Sequence, residues 1–374
     1  MDTARRILVV TGTRAEFGLL APIMRAIQAH EALRLIVIAA GAHLIAPALT
    51  LREVRAAFDI ADSVPMQIAG RTGRMEDAHA LGRGVARFAR IYERLTPDVV
   101  LVLGDRIEAF AAASAACIAG ICVAHVHAGD RAEGVADEAM RHATTKLAHL
   151  LFAASPASAE RLRRMGEDPH HVHLVGSPAI DTLPDIAPMT PEAFADLGSP
   201  SAVLLFHPIG RDDNAEKADA IALLDGLRDE RVLAIHPNHD PGRDGIVAAL
   251  HDRAVRHLLH LPRAQFVALL KRLALNKGVL VGNSSAGLIE SAAIPLATID
   301  AGPRQGGRER CANVVSVETI TPDAIRAALA AASAIDLSRV AHTYGDGASA
   351  DRIARVLAAT DPHDPRLLRK RCTY

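Results

Sequence analysis

Residues 98–130 read DVVLVLGDRIEAFAAASAACIAGICVAHVHAGD and are the most informative stretch for the fold class. Two β-rich apolar runs, 98–103 and 121–126, flank an apolar run of helical composition. This strand–helix–strand order predicts a βαβ unit of a parallel sheet. Each β-rich run is followed by ionisable residues, and open α/β sheets bind their ligands at the carboxyl ends of their strands. We therefore expect acid–base and anion-binding groups at this edge.

The same alternation of strands and helices continues through both halves of the chain. Residues 181–202 contain four prolines and one glycine, which interrupt helices and strands, and the linker between the halves is predicted within this stretch. We predict an α/β protein with two doubly wound, Rossmann-like domains and a ligand in the cleft between them. The expected parts are an N-terminal domain with the catalytic carboxylates (1–182), a C-terminal nucleotide-binding domain (200–350) and a helical tail (351–374) packed back on the first domain. Strands are expected at 7–11, 33–39, 150–153, 173–175, 202–206, 232–235, 279–281 and 296–299.

The composition favours a globular protein with large cores over a disordered chain. Of 374 residues, 50% are hydrophobic and 23% are charged. The formal net charge of −1 shows none of the basic excess of a nucleic-acid binder. The longest apolar run, 109–124, is short for a membrane span, the N-terminus lacks a secretory signal, and the four cysteines have no CxxC spacing. We predict a cytoplasmic location, with no nucleic-acid or membrane partner.

Two predicted strand-to-helix turns are candidate anion sites. Gly12-Thr13-Arg14 offers backbone N–H groups and a guanidinium, although a plain turn has the same composition. Ser284-Ser285, within the turn 283–287, combines hydroxyls with small neighbours that allow a pyrophosphate to approach. Glu290 follows and could accept hydrogen bonds from ribose hydroxyls. The alternative for this second turn is a helix-capping Ser with a first-turn carboxylate.

Ionisable side chains cluster after the two β-rich runs of residues 98–130. His125 and His127 are two residues apart and would share one face of a strand. No metal-binding motif accompanies them, so we predict no metal site, a buried and hydrogen-bonded His125, and a His127 that faces the ligand. Candidate acid–base carboxylates are Asp105, Asp130, Glu133, Asp137 and Glu138.

Further polar groups follow on both sides of the predicted linker. Arg141, His142 and Lys146 share one predicted helix and either bind an anion or form a charge network that ties the helix to a loop. His207 and Asn238 follow strands of the second half. We expect them to reach the ligand from the opposite wall of the cleft.

Several short motifs, in their order and spacing, resemble the UDP-N-acetylglucosamine 2-epimerase family. The resemblance is strongest to the hydrolysing branch that opens the sialic-acid and legionaminic-acid pathways. It implies a glycosyltransferase-B-like fold, a UDP-sugar substrate, no cofactor, and a homodimer or homotetramer. The matching motifs are Thr11–Glu16, Gly104–Arg106, Asp137–His142 with Thr145-Lys146, Gly176–Pro178, His207-Pro208, Pro237-Asn238, Gly282–Gly287 and Arg304–Arg308.

The resemblance also implies roles for individual residues. Asp105 and Asp137 match catalytic carboxylates, and His127 stands where many members have a catalytic Glu and some hydrolysing relatives have His. Arg106 and His207 would lie near the phosphates, with His207 counted among the catalytic residues. Substrate-binding groups would be Arg14, Arg141, His142, Asn238, Ser284, Ser285, Glu290 and Arg308.

The implied reaction is elimination of UDP from UDP-N-acetylglucosamine, followed by hydration of the resulting glycal. The products would be N-acetylmannosamine and UDP. Asp105 is expected to act as the base or to orient it, while His127 and Asp137 share proton delivery. Four alternatives stay open: the same chemistry on UDP-2,4-diacetamido-2,4,6-trideoxyglucose, a non-hydrolysing 2-epimerase, a glycosyltransferase, and a non-catalytic nucleotide-sugar-binding protein.

Overall fold

A computed structural model of the chain describes residues 4–45, 50–71, 73–132, 137–238 and 240–373. Contacts divide the chain into two compact units. The first unit comprises 1–130, 137–181 and 344–374, and the second comprises 131–136 and 182–343. No helix within the described ranges combines the length and apolarity that a membrane span requires.

Both units alternate strands and helices along the chain. The strands are β1 (Arg5–Thr11), β2 (Leu33–Ala40), β3 (Ile60–Val64), β4 (Val99–Leu103), β5 (Cys122–Val126), β6 (Leu150–Ala153), β7 (Val172–Leu174), β8 (Ala202–Leu205), β9 (Val232–Ile235), β10 (Arg256–Leu258), β11 (Val279–Gly282), β12 (Ala297–Ala301) and β13 (Val314–Val317). The α-helices are α1 (Arg14–Ala29), α2 (Leu51–Ala57), α3 (Arg74–Leu95), α4 (Ile107–Ile118), α5 (Asp137–Leu147), α6 (Pro156–Arg164), α7 (Pro178–Asp181), α8 (Pro191–Asp196), α9 (Asp213–Gly226), α10 (Arg243–Asp252), α11 (Arg263–Leu275), α12 (Glu290–Ala293), α13 (Pro322–Ser333), α14 (Ser349–Ala359) and α15 (Pro365–Leu368).

Each unit contains one parallel sheet. The first sheet has the order β3-β2-β1-β4-β5-β6-β7, and the second has the order β10-β9-β8-β11-β12-β13. The strand order therefore reverses direction between β1 and β4 in one unit and between β8 and β11 in the other. This is the doubly wound Rossmann pattern, which places ligand sites at the carboxyl ends of the strands beside the reversal. The predicted fold class is confirmed.

The central strands are buried on both faces, as parallel sheets covered by helices require. In β1, Ile7 and Val9 belong to one core, which also contains Leu20 of α1. Leu8 and Val10 belong to the core on the other face of the sheet. The apolar runs that predicted strands thus reflect burial on two faces rather than on one.

The predicted linker contains its own structure and packs within the second unit. Thr190 caps α8 by accepting a hydrogen bond from the N–H of Ala193. From α11, Lys271 Nζ donates to Ile186 O at 2.6 Å, and Arg272 Nε donates to Met189 O at 2.5 Å. Contacts therefore join residues 182–199 to the second unit and residues 344–350 to the first.

The sequence analysis does not predict three of the strands, and all three are edge strands. They are β3 in the first sheet and β10 and β13 in the second. These strands are three to five residues long and carry polar residues, such as Asp62 in β3 and Arg256 in β10. Edge strands are short and charged because an exposed apolar edge would pair with other chains. A search for apolar runs therefore misses β3 and β10, whereas the omission of β13, which has three valines in four residues, is not explained in this way.

Candidate functional site

In the first unit, predicted site residues lie at the strand-order reversal between β1 and β4. Gly12, Thr13 and Arg14 follow β1, and Asp105 and Arg106 follow β4. The chain turns sharply after β4 because Gly104 adopts a φ of 76°, a conformation that favours glycine. This turn brings Asp105 and Arg106 to the start of α4.

Arg141 connects Asp105 to the loop that follows β5. Arg141 is 4% exposed, and its Nη2 donates to Asp105 Oδ2. Its Nη1 donates to the backbone carbonyl of His127 at 3.4 Å. A buried guanidinium retains its charge, so this contact holds the partly buried Asp105 in place and supplies a positive charge beside its carboxylate.

His125 has a structural role beneath the turn after β4. Its Nε2 lies 2.7 Å from Gly104 O, and its Nδ1 lies 3.2 Å from Thr145 Oγ1. A carbonyl only accepts, so Nε2 carries the proton and Nδ1 accepts from the threonine hydroxyl. Burial lowers the pKa of His125 to about 4. The expectation of a buried, hydrogen-bonded His125 is confirmed.

His127 lies beyond the end of β5, with a backbone φ of 61°. Its Nδ1 is 2.8 Å from Asp130 Oδ2, and its Nε2 is 3.0 Å from Ser177 Oγ. The expectation that His125 and His127 share one strand face is wrong, because β5 ends at Val126. The left-handed conformation at His127 turns its side chain toward other partners.

Glu16 occupies the N-terminus of α1. Its Oε2 accepts from the N–H groups of Gly12 at 3.1 Å and Thr13 at 2.9 Å, while Thr13 caps the helix in return. Burial raises the pKa of Glu16 to about 8, and the charge of Arg106 opposes this rise. The expectation that this turn offers its N–H groups to an anion is wrong for Gly12 and Thr13. The exposed Arg14 is the part of the motif that stays accessible.

The remaining residues of α5 have separate partners. His142 Nε2 lies 3.2 Å from Glu138 Oε1, one helical turn away. Lys146 and Lys370 both pair with the buried Glu167, at 2.9 and 2.6 Å. These contacts form a charge network that ties α5 to neighbouring segments. Asp137 is the first residue of α5, and Glu133 lies outside the described residues.

In the second unit, His207 follows β8 at the corresponding strand-order reversal. Its backbone N–H donates to Asn283 Oδ1 at 2.7 Å, and Asn283 Nδ2 donates to His207 O at 2.8 Å. Its Nδ1 accepts from the N–H of Asn238 at 3.1 Å. Burial, reinforced by the charge of Arg304, lowers the pKa of His207 to about 3. The neutral ring therefore carries its proton on Nε2, where it can donate to an anion.

The turn after β11 contains the predicted serines and Glu290. Ser284 Oγ accepts from the N–H of Ala286 at 3.4 Å and caps a one-turn 3₁₀ segment, Ser285–Gly287. Glu290 is the first residue of the short helix α12. It is 5% exposed and pairs with Arg263 at 3.0 Å. Asn238 is exposed.

The loop after β12 contacts the turn at Asn283 through one arginine and one glutamine. Arg304 Nη1 donates to Asn283 O at 3.1 Å, and Gln305 Nε2 donates to the same oxygen at 2.8 Å. Arg308 Nη1 donates to Gln305 Oε1 at 2.9 Å. Arginine is well suited to phosphate recognition, so this edge can bind a diphosphate. Within the described residues, no group of three or more His, Cys, Asp or Glu side chains is arranged to hold a metal ion.

The structure adds partners that sequence reasoning did not assign. Ser177 lies against His127, although only its place in the Gly176–Pro178 motif pointed to it. Arg263 pairs with Glu290 from a separate helix, 27 residues away. No local sequence pattern predicts such a pair, because it depends on how α11 and α12 pack.

Comparison with known sequences connects this architecture with one family. The profile of the UDP-N-acetylglucosamine 2-epimerase family matches residues 25–358. The chain is 34% identical to a hydrolysing UDP-N,N'-diacetylbacillosamine 2-epimerase of Legionella pneumophila, over 99% of this chain and 100% of that protein. It is 29% identical to a UDP-N-acetylglucosamine 2-epimerase of Neisseria meningitidis, over 94% and 95% of the two chains.

Solved structures share the two-unit fold. The UDP-N-acetylglucosamine 2-epimerase of Methanocaldococcus jannaschii, in complex with UDP-N-acetylglucosamine and UDP, gives a TM-score of 0.79 at 19% identity, over 95% of this chain and 100% of that chain. The UDP-N-acetylglucosamine 2-epimerase of Neisseria meningitidis, bound to UDP-N-acetylglucosamine, gives a TM-score of 0.79 at 18% identity, over 95% of this chain and 100% of that chain. Fold, family profile and full-length identity agree. The chain belongs to the UDP-N-acetylglucosamine 2-epimerase family.

Proposed function

We propose that this enzyme is a hydrolysing 2-epimerase that converts a UDP-linked 2-acetamido sugar into UDP and the free 2-epimer. The observation that carries the proposal is the 34% identity, over 99% of the chain, to an enzyme named for the hydrolysing reaction. The acid–base and cationic groups at the two strand-order reversals support it. The family resemblance further suggests nonulosonic-acid biosynthesis, a cytoplasmic location and a homodimer or homotetramer, and these stay predictions.

Two substrates are candidates because the relatives act on different sugars. The Legionella relative is named for UDP-N,N'-diacetylbacillosamine, which is UDP-2,4-diacetamido-2,4,6-trideoxyglucose, and the Neisseria relative for UDP-N-acetylglucosamine. We rank the diacetamido sugar first because its relative has the higher identity, which reverses the order expected from motifs alone. Both sugars carry the acetamido group and the proton on carbon 2 that the chemistry needs.

The first proposed step is elimination. A base removes the proton from carbon 2, the electron pair forms a double bond to carbon 1, and UDP leaves with the electrons of the bond to carbon 1. This proton is weakly acidic, so the base must be well placed. Asp105, fixed by the Arg141 contact, meets that need as the base or the group that orients it.

The charge on departing UDP also needs stabilisation, because it develops as the bond to carbon 1 breaks. We assign this role to Arg106 and to the Nε2–H of His207. The Ser284–Ser285 turn, Arg14, Asn238 and Arg308 are proposed to bind the nucleotide part, with Glu290 accepting from the ribose hydroxyls. Glu290 would then exchange or share its present ion pair with Arg263.

The second proposed step is hydration of the glycal. Water adds to carbon 1, and a proton returns to carbon 2 on the face opposite the one that lost it. His127, Asp137 and His142 are the proposed groups for proton delivery and sugar contact. His127 has ordered hydrogen-bond partners on both ring nitrogens, which suits a group that must transfer a proton in one direction.

The deciding experiment incubates the purified protein with each UDP sugar in deuterated water and follows the reaction by proton NMR. Release of UDP with a free 2-epimer deuterated at carbon 2 is the expected result. An inverted sugar still linked to UDP would instead indicate the non-hydrolysing reaction. Turnover of neither sugar would contradict the proposal, and the preferred sugar would fix the substrate.

Replacing the proposed base should abolish most turnover without unfolding the protein. Asp105→Asn is expected to lower kcat by about 10²–10⁴-fold, the usual contribution of general acid–base catalysis. Asp225→Asn is the matched control, because Asp225 pairs with Arg253 at 2.6 Å on the surface of the second unit. Steady-state kinetics that give equal kcat for both variants would remove Asp105 from the mechanism.

A further inference from the structure

A buried chain of hydrogen bonds leads to one ring nitrogen of His127. Ser155 Oγ donates to Ser158 Oγ at 3.1 Å, and Ser158 Oγ donates to Asp130 Oδ1 at 2.7 Å. The second carboxylate oxygen of Asp130 lies 2.8 Å from His127 Nδ1. Asp130, His127 and Ser158 are each at most 4% exposed. The chain therefore ends at a carboxylate that accepts from both sides.

This arrangement determines where the proton of the neutral imidazole lies. An ionised carboxylate only accepts, so Nδ1 of His127 must donate to Asp130. A neutral imidazole carries one N–H, which leaves Nε2 as the acceptor. His127 is therefore the Nδ1–H tautomer. His125 has the opposite tautomer, because its Nε2–H donates to the carbonyl of Gly104.

Ser177 completes the arrangement on the other ring nitrogen. Its hydroxyl oxygen accepts from the N–H of Ala179 at 3.3 Å and lies 3.0 Å from His127 Nε2. The remaining hydroxyl proton can thus donate to Nε2, in agreement with the assigned tautomer. The backbone N–H of Ser177 donates to Tyr344 O at 2.8 Å, which fixes the position of the serine.

The backbone near His127 is shaped to make these contacts. His127 and Gly129 both have positive φ, 61° and 75°. A Cβ at position 129 would lie 2.5 Å from Ser158 O, so the loop approaches α6 only because this residue is glycine. A non-glycine residue in this conformation costs free energy, and such residues concentrate at functional sites. Here the conformation places the imidazole between Asp130 and Ser177.

We propose that Asp130 and Ser177 are positioning residues that hold His127 as the Nδ1–H tautomer and present Nε2 as its basic nitrogen. In the hydration step, Nε2 takes up the proton that water loses as it adds to carbon 1 and releases a proton to carbon 2, while the Nδ1 proton stays on the Asp130 side. The catalytic consequence rests on the proposed function. The tautomer itself does not.

The tautomer is measured by two-bond ¹H–¹⁵N correlation NMR on histidine-labelled protein at about pH 8, with the His127 signal assigned by its loss in His127→Gln. The wild-type protein should show a protonated Nδ1 and an unprotonated Nε2. Asp130→Leu, which removes the acceptor but keeps the size, should convert the ring to the Nε2–H form. An Nε2–H or doubly protonated ring in the wild type would overturn the assignment.

Kinetics test the catalytic consequence with matched serine variants. Ser177→Ala should lower kcat by about tenfold or more with little change in KM, while Ser177→Thr, which retains the hydroxyl, should restore most of it. Asp130→Asn should lower kcat further, toward the 10⁴-fold loss seen for the equivalent change in a Ser-His-Asp triad. Thr190→Ala removes a comparable helix cap in the second unit and should leave kcat unchanged.

The outcomes separate this inference from the proposed function. If the wild type turns over neither UDP sugar, the proposed function fails, while the NMR result still decides the tautomer. If the wild type is active and Ser177→Ala and Asp130→Asn retain its kcat, the positioning roles fail and the proposed function stands. Loss of activity in Ser177→Thr equal to that in Ser177→Ala would also contradict the role of the hydroxyl.

Discussion

At the scale of single residues, the candidate site in the first unit contains buried ionisable groups that have fixed partners. Glu16 is 6% exposed and accepts hydrogen bonds from two backbone N–H groups at the start of α1. Burial, and the nearby carboxylate of Glu108, raise the pKa of Glu16 from 4.5 to about 8. The folded protein therefore retains a proton that the unfolded chain loses.

This retained proton makes stability depend on pH in a defined direction. Between pH 4.5 and about 8 the folded state binds more protons than the unfolded state, so the free energy of unfolding falls as pH rises. Glu16→Gln cannot ionise and should lack this fall. We measure the free energy of unfolding in urea at pH 5 and at pH 8. Between these two pH values, the wild type should lose at least about 1 kcal/mol more of this free energy than the variant does. Parallel pH profiles would contradict this.

Sequence reasoning located most ionisable residues at strand ends but did not give their partners. Asp105 and Arg106 were predicted at a strand end, and they follow β4. The positive φ of His127 leaves no mark in a pattern of apolar and polar residues, so its contact with Ser177, 50 positions away, was not predictable. Partners of this kind depend on the packing of distant segments.

At the scale of elements, two glycines within helices have opposite surroundings: one faces solvent and the other lies where two helices are in close contact. Gly82 lies in α3, is exposed, and has no atom within 4 Å of the position that a Cβ would take. Gly245 lies in α10, and a Cβ there would come within 1.9 Å of Asp213 O at the start of α9. The close packing of α9 on α10 therefore requires a glycine.

These two glycines should respond oppositely to the same substitution. Gly82→Ala should raise the free energy of unfolding by about 0.5–1 kcal/mol, because alanine restricts the unfolded chain and favours helix. Gly245→Ala should lower it by about 1–3 kcal/mol or more, because the backbone of α9 must move. Urea denaturation followed by circular dichroism measures both changes. Equal effects would show that helix propensity alone controls the two sites.

At the scale of the whole molecule, the two units are built from different numbers of chain segments. The first unit needs residues 344–374 in addition to its earlier parts. Ile353 and Leu357 of α14 are buried in the same core as Leu20 and Ile23 of α1. Lys370 adds hydrogen bonds to the carbonyls of Thr145 and Ala148, at 2.7 and 2.6 Å.

Core substitutions should therefore destabilise the units separately. Leu357→Ala should lower the stability of the first unit by about 2–5 kcal/mol, and Leu273→Ala should do the same for the second. Hydrogen exchange resolves the two effects: amides of β1 should lose protection in the first variant, and amides of β8 in the second. Loss of protection in both strands in either variant would show that the units unfold together.

The sequence was sufficient for the fold class because the central strands of parallel sheets are covered on both faces and are therefore apolar along their length. It did not predict which chain segments complete each unit. The tail from 351 to 374 was expected to pack on the first domain, and contacts also assign residues 344–350 to that unit. That assignment rests on details such as Gly176 and Gly345, whose backbones pass so closely that neither has room for a side chain.

The late entry of α14 into the first core has a consequence for biosynthesis. Apart from residues 131–136, the second unit is one continuous segment, so its sheet can form while the chain is still attached to the ribosome. The first unit begins earlier but completes its core only after residue 359 has emerged. Until then, the part of α1 that packs against α14 is uncovered in the nascent chain and is available to chaperones and proteases.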